Sequence, residues 1–120
     1  GKVRVSACLR QGSTVSIPSS IKYRGYTYKV TSVSKKAFRG ASNAGRVNLG
    51  ANVASLSKAA LGGSNAKVLK VSSKKLSKKK VRGCLSGSKV VQVKVPKSKV
   101  KAYKKIFTKK NCGKSVRVTS

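Results

Sequence analysis

A short, right-handed β-solenoid is the fold class this sequence predicts, and three observations carry the prediction. Apolar–polar–apolar triplets recur along the 120 residues: Val15-Ser16-Ile17, Val47-Asn48-Leu49, Leu69-Lys70-Val71 and Val91-Gln92-Val93, the last three 22 residues apart. A second landmark, a small residue and a large apolar one shortly before glycine, follows each of the first three triplets. These are Ala37-Phe38-Arg39-Gly40, Ala60-Leu61-Gly62-Gly63 and Cys84-Leu85-Ser86-Gly87, with Phe38, Leu61 and Leu85 spaced 23 and 24 residues apart. Between landmarks lie further apolar pairs: Val30 and Val33, Val53 and Leu56, Leu76 and Val81. A coil this short cannot bury its apolar face alone, so successive coils stack and share one core.

Each triplet reads as a short strand with two side chains inward and one outward, and the triplets align as a parallel sheet. The landmarks close the opposite side, where glycine permits a sharp bend. The first coil, 13–46, is longer because Ile21 to Val30 is inserted as a hairpin, with Tyr23 and Tyr28 flanking an Arg-Gly-Tyr-Thr turn. Alternation puts Tyr26 and Tyr28 on one face, and their expected role is packing across that coil. The second coil spans 47–67 and the third 68–89. The last segment, 90–120, supplies a final strand and a cap. There Val100, Tyr103, Ile106 and Phe107 recur at helical spacing, Pro96 suits a first helical position and Gly113 lies past the end. Residues 96–112 are therefore expected to form a capping helix, and Val116-Arg117-Val118 a last strand. The whole chain reads as one domain.

Composition excludes more chemistry than it suggests. Thirty Lys and Arg stand against no Asp, Glu or His, a formal charge of +30. General acid–base catalysis lacks its usual carboxylate or imidazole, and a hard-cation site lacks carboxylate oxygens. The serines have no His or acid to activate them, and neither GxSxG nor GxxxxGK[ST] occurs. The expectation is a non-catalytic protein with no cofactor and no metal. Hydrophobic residues make up 38 % of the chain and are regularly spaced, which argues for a folded core rather than disorder. No stretch approaches the roughly 18 apolar residues of a membrane span. The chain opens on Gly1 without an apolar leader, as expected of a mature product or an excised domain whose targeting segment is absent.

Three cysteines give no CxxC and no His partner, so zinc is not expected. Cys84 takes the place Ala37 and Ala60 hold in other coils and reads as a buried structural thiol. Cys8 and Cys112 belong to opposite ends, too far apart to bridge. A Cys84–Cys112 bridge stays open, conditional on the cap folding back.

Charge is uneven along the chain. Residues 1–66 hold 11 Lys and Arg, whereas 67–120 hold 19. The densest run comprises Lys74, Lys75, Lys78, Lys79, Lys80 and Arg82; the second, on the cap, comprises Lys97, Lys99, Lys101, Lys104, Lys105, Lys109 and Lys110. Stacked coils place equivalent segments side by side, so the two runs are expected to merge into one basic face. Such a face suits a polyanion whose binding releases counter-ions. Lys outnumbers Arg more than threefold, which favours point-charge affinity over bidentate, sequence-reading contacts. The outward column Ser16, Asn48, Lys70 and Gln92 reads as solvated sheet surface.

Val15-Ser16-Ile17-Pro18-Ser19-Ser20-Ile21, Tyr28 to Gly40 and Val47 to Leu56 together resemble the BspA-like leucine-rich repeats of bacterial surface proteins, and the run from Val95-Pro96 to Lys105 is similar to the end cap of those arrays. The resemblance covers roughly residues 13–118. It departs at Leu61, where the family usually has Phe, and around Lys74–Arg82. It implies a leucine-rich-repeat-type solenoid, secreted or at the bacterial cell surface, used in adhesion and recognition. The expected function is a recognition module that holds an anionic polymer, such as a cell-wall polymer or sulfated glycan, or an acidic protein surface. A sequence-nonspecific nucleic-acid-binding protein and a purely structural array or assembly module are the alternatives. The oligomeric state is not legible in the sequence.

Overall fold

The computed structural model describes residues 1–5, 12–40 and 43–120, so Cys8 and Arg10 lie outside the described residues. The strands are β1 (Lys2–Val5), β2 (Thr14–Ile17), β3 (Ser20–Tyr23), β4 (Tyr26–Val33), β5 (Arg46–Leu49), β6 (Ser55–Leu56), β7 (Val68–Val71), β8 (Gln92–Lys94) and β9 (Arg117–Thr119). Helical structure is sparse: α1 (Val100–Lys104), α2 (Lys109–Cys112) and 3₁₀ turns at Lys79–Val81 and Lys97–Lys99.

Strands β2, β5, β7, β8 and β9 pair in that order into a parallel sheet that does not close into a barrel. Val15, Val47, Leu69, Val93 and Val118 stand in register across it, each no more than 9 % exposed. This inward row is the spine of the core. A second sheet has the order β1-β4-β3, with β6 also on β4, where Val33 meets Leu56 in parallel register. Strand β1, which the repeat pattern did not include, pairs parallel with β4.

The opposite side is stacked in the same order. Lys36 N donates to Ala59 O (2.9 Å), Ala59 N to Gly83 O (2.7 Å) and Gly83 N to Asn111 O (2.7 Å). One residue on, Leu61 N reaches Cys84 O (3.1 Å) and Leu85 N reaches Cys112 O (3.0 Å). Ala37, Phe38, Ala60, Leu61, Cys84 and Leu85 are fully buried, as the landmarks predict, and so are Val53 and Val81.

A tight bend precedes each landmark, and another follows the second and third, where Gly63 and Gly87 have φ of 78° and 73°. Lys36, Ala59 and Gly83 all have left-handed backbone, with φ of 53°, 57° and 67°. A side chain there costs about 1–2 kcal/mol, offset in part by the greater freedom glycine loses on folding. Ala59→Gly is therefore expected to stabilise the protein by about 0.5–1 kcal/mol. Denaturant midpoints measured at fixed salt check this, and a loss of stability would show that the Ala59 methyl matters more than the bend.

Four expectations need correction. The fourth inward triplet is Val93-Lys94-Val95 rather than Val91-Gln92-Val93. Val93 lies opposite Leu69 and Lys94 opposite Lys70, while Val91 is 48 % exposed. The connection into β8 is two residues longer than the 22-residue period, and a two-residue slip leaves the side chains on the same face. The outward column accordingly ends in Lys70, Lys94 and Thr119, not Gln92. In the hairpin, Tyr23 pairs with Tyr26, and Ile21 with Tyr28. The turn is only Arg24-Gly25, both at positive φ (52° and 81°), the geometry whose twist matches the flanking strands. Tyr23 and Tyr26 are exposed and do not pack across the coil; Tyr28 alone is half-buried.

The cap is the fourth correction, because it is not one helix over 96–112. Thr108 adopts extended backbone (φ −114°, ψ 158°) and breaks it, and its Oγ1 accepts from Asn111 N to start α2. Pro96 sits one residue ahead of the first helical turn. Gly113 ends α2 at φ 87° as expected. The apolar spacing still reports the buried side: Tyr103 and Phe107 are core, with rings edge-to-face at 5.9 Å, and Val100 and Ile106 pack against it.

Candidate functional site

The run Lys74–Arg82 leaves β7 on a segment pinned from beneath. Leu76 and Val81 are buried, so the intervening lysines are forced outward. Lys74, Lys75, Lys78, Lys79, Lys80 and Arg82 are all exposed. The cap is built by the same logic, with Tyr103, Phe107 and Cys112 facing the core and Lys97, Lys101, Lys104, Lys105, Lys109 and Lys110 exposed. Lys99 is half-buried.

One side chain joins the two segments. Asn111 is only 6 % exposed, and its Nδ2 donates to Lys78 O (3.0 Å) and to Ile106 O (2.8 Å). It thereby ties the lysine-rich loop to α2. Above it opens a cleft of about 300 Å³ lined by Lys78, Arg82, Thr108, Lys110 and Asn111. Members of both basic runs meet there: Lys78 and Arg82 from the first, Lys110 from the second. No acid exists in the chain to neutralise them, so their charge is met by water, counter-ions or a partner.

A second cleft, of about 460 Å³, is lined by Lys70, Val71, Ser72, Lys74, Lys94, Val95, Pro96 and Ser120. Lys74 belongs here rather than with Lys78 and Arg82. Lys70 and Lys94 are register partners on neighbouring strands, an arrangement in which like charges repel. The 22-residue spacing sets Gln92 rather than Lys94 beside Lys70, so the expected basic face does not include this pair. Lys75 turns away from both clefts, its Nζ donating to Asn52 Oδ1 at 3.4 Å. Asn111 was also missed, although Thr108 three residues before it is an N-cap signal that could have marked the start of α2.

Among the described residues no helix is long and apolar enough to cross a membrane. No protein-family model, curated protein or solved structure matches the chain.

Proposed function

We propose that the chain is a short leucine-rich-repeat-type solenoid of the BspA-like kind, a non-catalytic recognition or adhesion module of a bacterial surface or secreted protein, which holds an anionic polymer on its lysine-rich face. The solenoid reading draws support from the five-strand parallel register and from the matching backbone ladder on the opposite side. A molecule of 41 × 29 × 22 Å has room for only a few coils. The observation that carries the binding reading is the cleft where Lys78, Arg82 and Lys110 converge from separate segments. Arg82 is the one arginine among the thirteen cations assigned to the face. Its planar fork suits bidentate contact with a sulfate, phosphate or carboxylate, while the lysines around it act as mobile point charges.

The test measures affinity for heparin, teichoic acid and duplex DNA at equal salt, for the native chain and for a Lys78→Gln, Lys79→Gln, Lys80→Gln variant. Each contacted cation releases counter-ions, so the variant is expected to bind about 10–100-fold more weakly near physiological salt, with a shallower salt dependence. Unchanged affinity, or binding insensitive to salt, overturns the reading. A large preference for DNA shifts it to the nucleic-acid alternative.

A further inference from the structure

We infer that Cys84 and Cys112 form an oxidisable dithiol site, which closes to a single intramolecular disulfide by exchange with a small-molecule disulfide. The inference is independent of any bound polyanion and rests on how the coils stack.

Ala37, Ala60 and Cys84 hold the same small-residue position in successive coils, and all are fully buried. Cys112 takes that position in the cap. The bond from Leu61 N to Cys84 O (3.1 Å) recurs one coil on as Leu85 N to Cys112 O (3.0 Å), with Gly83 N to Asn111 O (2.7 Å) on the other flank. Backbone hydrogen bonds on both flanks hold the two residues side by side, the arrangement a disulfide needs to span its roughly 4.4–6.8 Å Cα separation. Both cysteines are free thiols and both are buried. The Cys84 thiol is held in its protonated form, first by its hydrogen bond to Cys112 and then by burial and the neighbouring sulfur's charge. The same hydrogen bond pulls Cys112 below the ordinary thiol range, against the effect of burial. Cys112 lies on the short terminal helix α2, so local opening exposes it first and it acts as the nucleophile, with Cys84 as the resolving thiol. In the reduced state Cys112 Sγ also lies 3.2 Å from Ile106 O, an acceptor for its proton.

Cys112 thiolate attacks one sulfur of the small disulfide, breaks its S–S bond and expels one thiolate. Cys84 then loses its proton and attacks the Cys112 sulfur, expelling the second thiolate and forming the protein S–S bond. Two protein thiols are oxidised by two electrons in total, and the small disulfide is reduced to two thiols that take up the protons. Because both sulfurs are buried, exchange proceeds through local opening of α2, a four-residue helix at the chain's last coil. The bridge then ties that cap to the third coil and fixes Lys110 against Lys78 and Arg82.

The experiment uses the full chain with Cys8→Ser, so that no third thiol competes, treated with oxidised glutathione in low denaturant and analysed by mass after alkylation. The expected product has lost two hydrogens, carries no alkylated cysteine and yields one cross-linked peptide joining residues 84 and 112. Closing a loop of this length is expected to raise Tm by more than about 5 °C over the reduced protein. A second variant with Cys84→Ala, the residue the preceding coil has at this position, is expected to stop at the glutathione adduct on Cys112 with no rise in Tm. A stable adduct on either thiol of the two-cysteine chain, two thiols still open to alkylation, or a cross-linked form that melts lower overturns the inference.

Discussion

Tyr103→Ala is expected to destabilise the protein by about 3–5 kcal/mol, the range for losing a buried aromatic ring and leaving a cavity. Tyr103 is 1 % exposed and stacks edge-to-face on Phe107. Its hydroxyl does further work at the exit of β7: it donates to Ser73 O at 2.8 Å and accepts from Leu76 N at 3.3 Å. These bonds hold the start of the lysine-rich segment against α1. Burial lifts the phenol above the ordinary tyrosine range, with the Leu76 bond pulling the other way, so it stays a donor at neutral pH. Tyr103→Phe separates the two contributions. It keeps the ring but strands a buried carbonyl and amide, at a cost of about 1–3 kcal/mol. Urea unfolding of both variants at one salt concentration checks the pair. A Phe variant as stable as the native chain would mean that water reaches Ser73 and Leu76.

Gly50→Ala should cost about 3 kcal/mol, toward the upper end for overpacking. Gly50 closes the β5 strand, and its backbone does not require left-handed geometry. The demand comes from the neighbouring segment just after β2. A Cβ at this position would lie 2.6 Å from Pro18 C, 2.6 Å from Ser19 N and 2.7 Å from Pro18 O. Backbone cannot swing aside as a side-chain tip can, so β2 and β5 must separate just beyond the Ile17–Leu49 pairing. The loss is expected as a lower urea midpoint. Restored stability on extending the loop around Pro18 and Ser19 would locate the clash there. A variant with native stability would show that β2 and β5 can part freely at this end.

The repeat made much of the fold legible, for a definite reason. Burial of one face imposes apolar residues at fixed spacings, and Val15, Val47, Leu69, Phe38, Leu61 and Leu85 are all fully buried. The pattern could not resolve what burial does not constrain. Val91 and Val93 share a face, so only the length of the connecting loop decides which meets Leu69. The pattern sets Tyr23 against Tyr28 across a four-residue turn, whereas the two-residue Arg24-Gly25 turn pairs it with Tyr26. Thr108 falls within the run whose apolar spacing is helical, but as an N-cap it takes extended backbone, its Oγ1 accepting from Asn111 N, and it breaks the run.

The candidate site divides along the same line. By itself the sequence determined the excess of cations, the absence of Asp, Glu and His, and the two segments where lysines crowd. Which of those lysines meet was decided by the tertiary structure alone. Lys78, Arg82 and Lys110 converge because the buried Asn111 amide bonds the loop to the cap, whereas Lys70 and Lys94 face each other because β8 slips by two residues. Charge is a property of composition and survives any rearrangement of the chain. Proximity of like charges opposes folding, so it is set wherever core packing and buried hydrogen bonds override the repulsion.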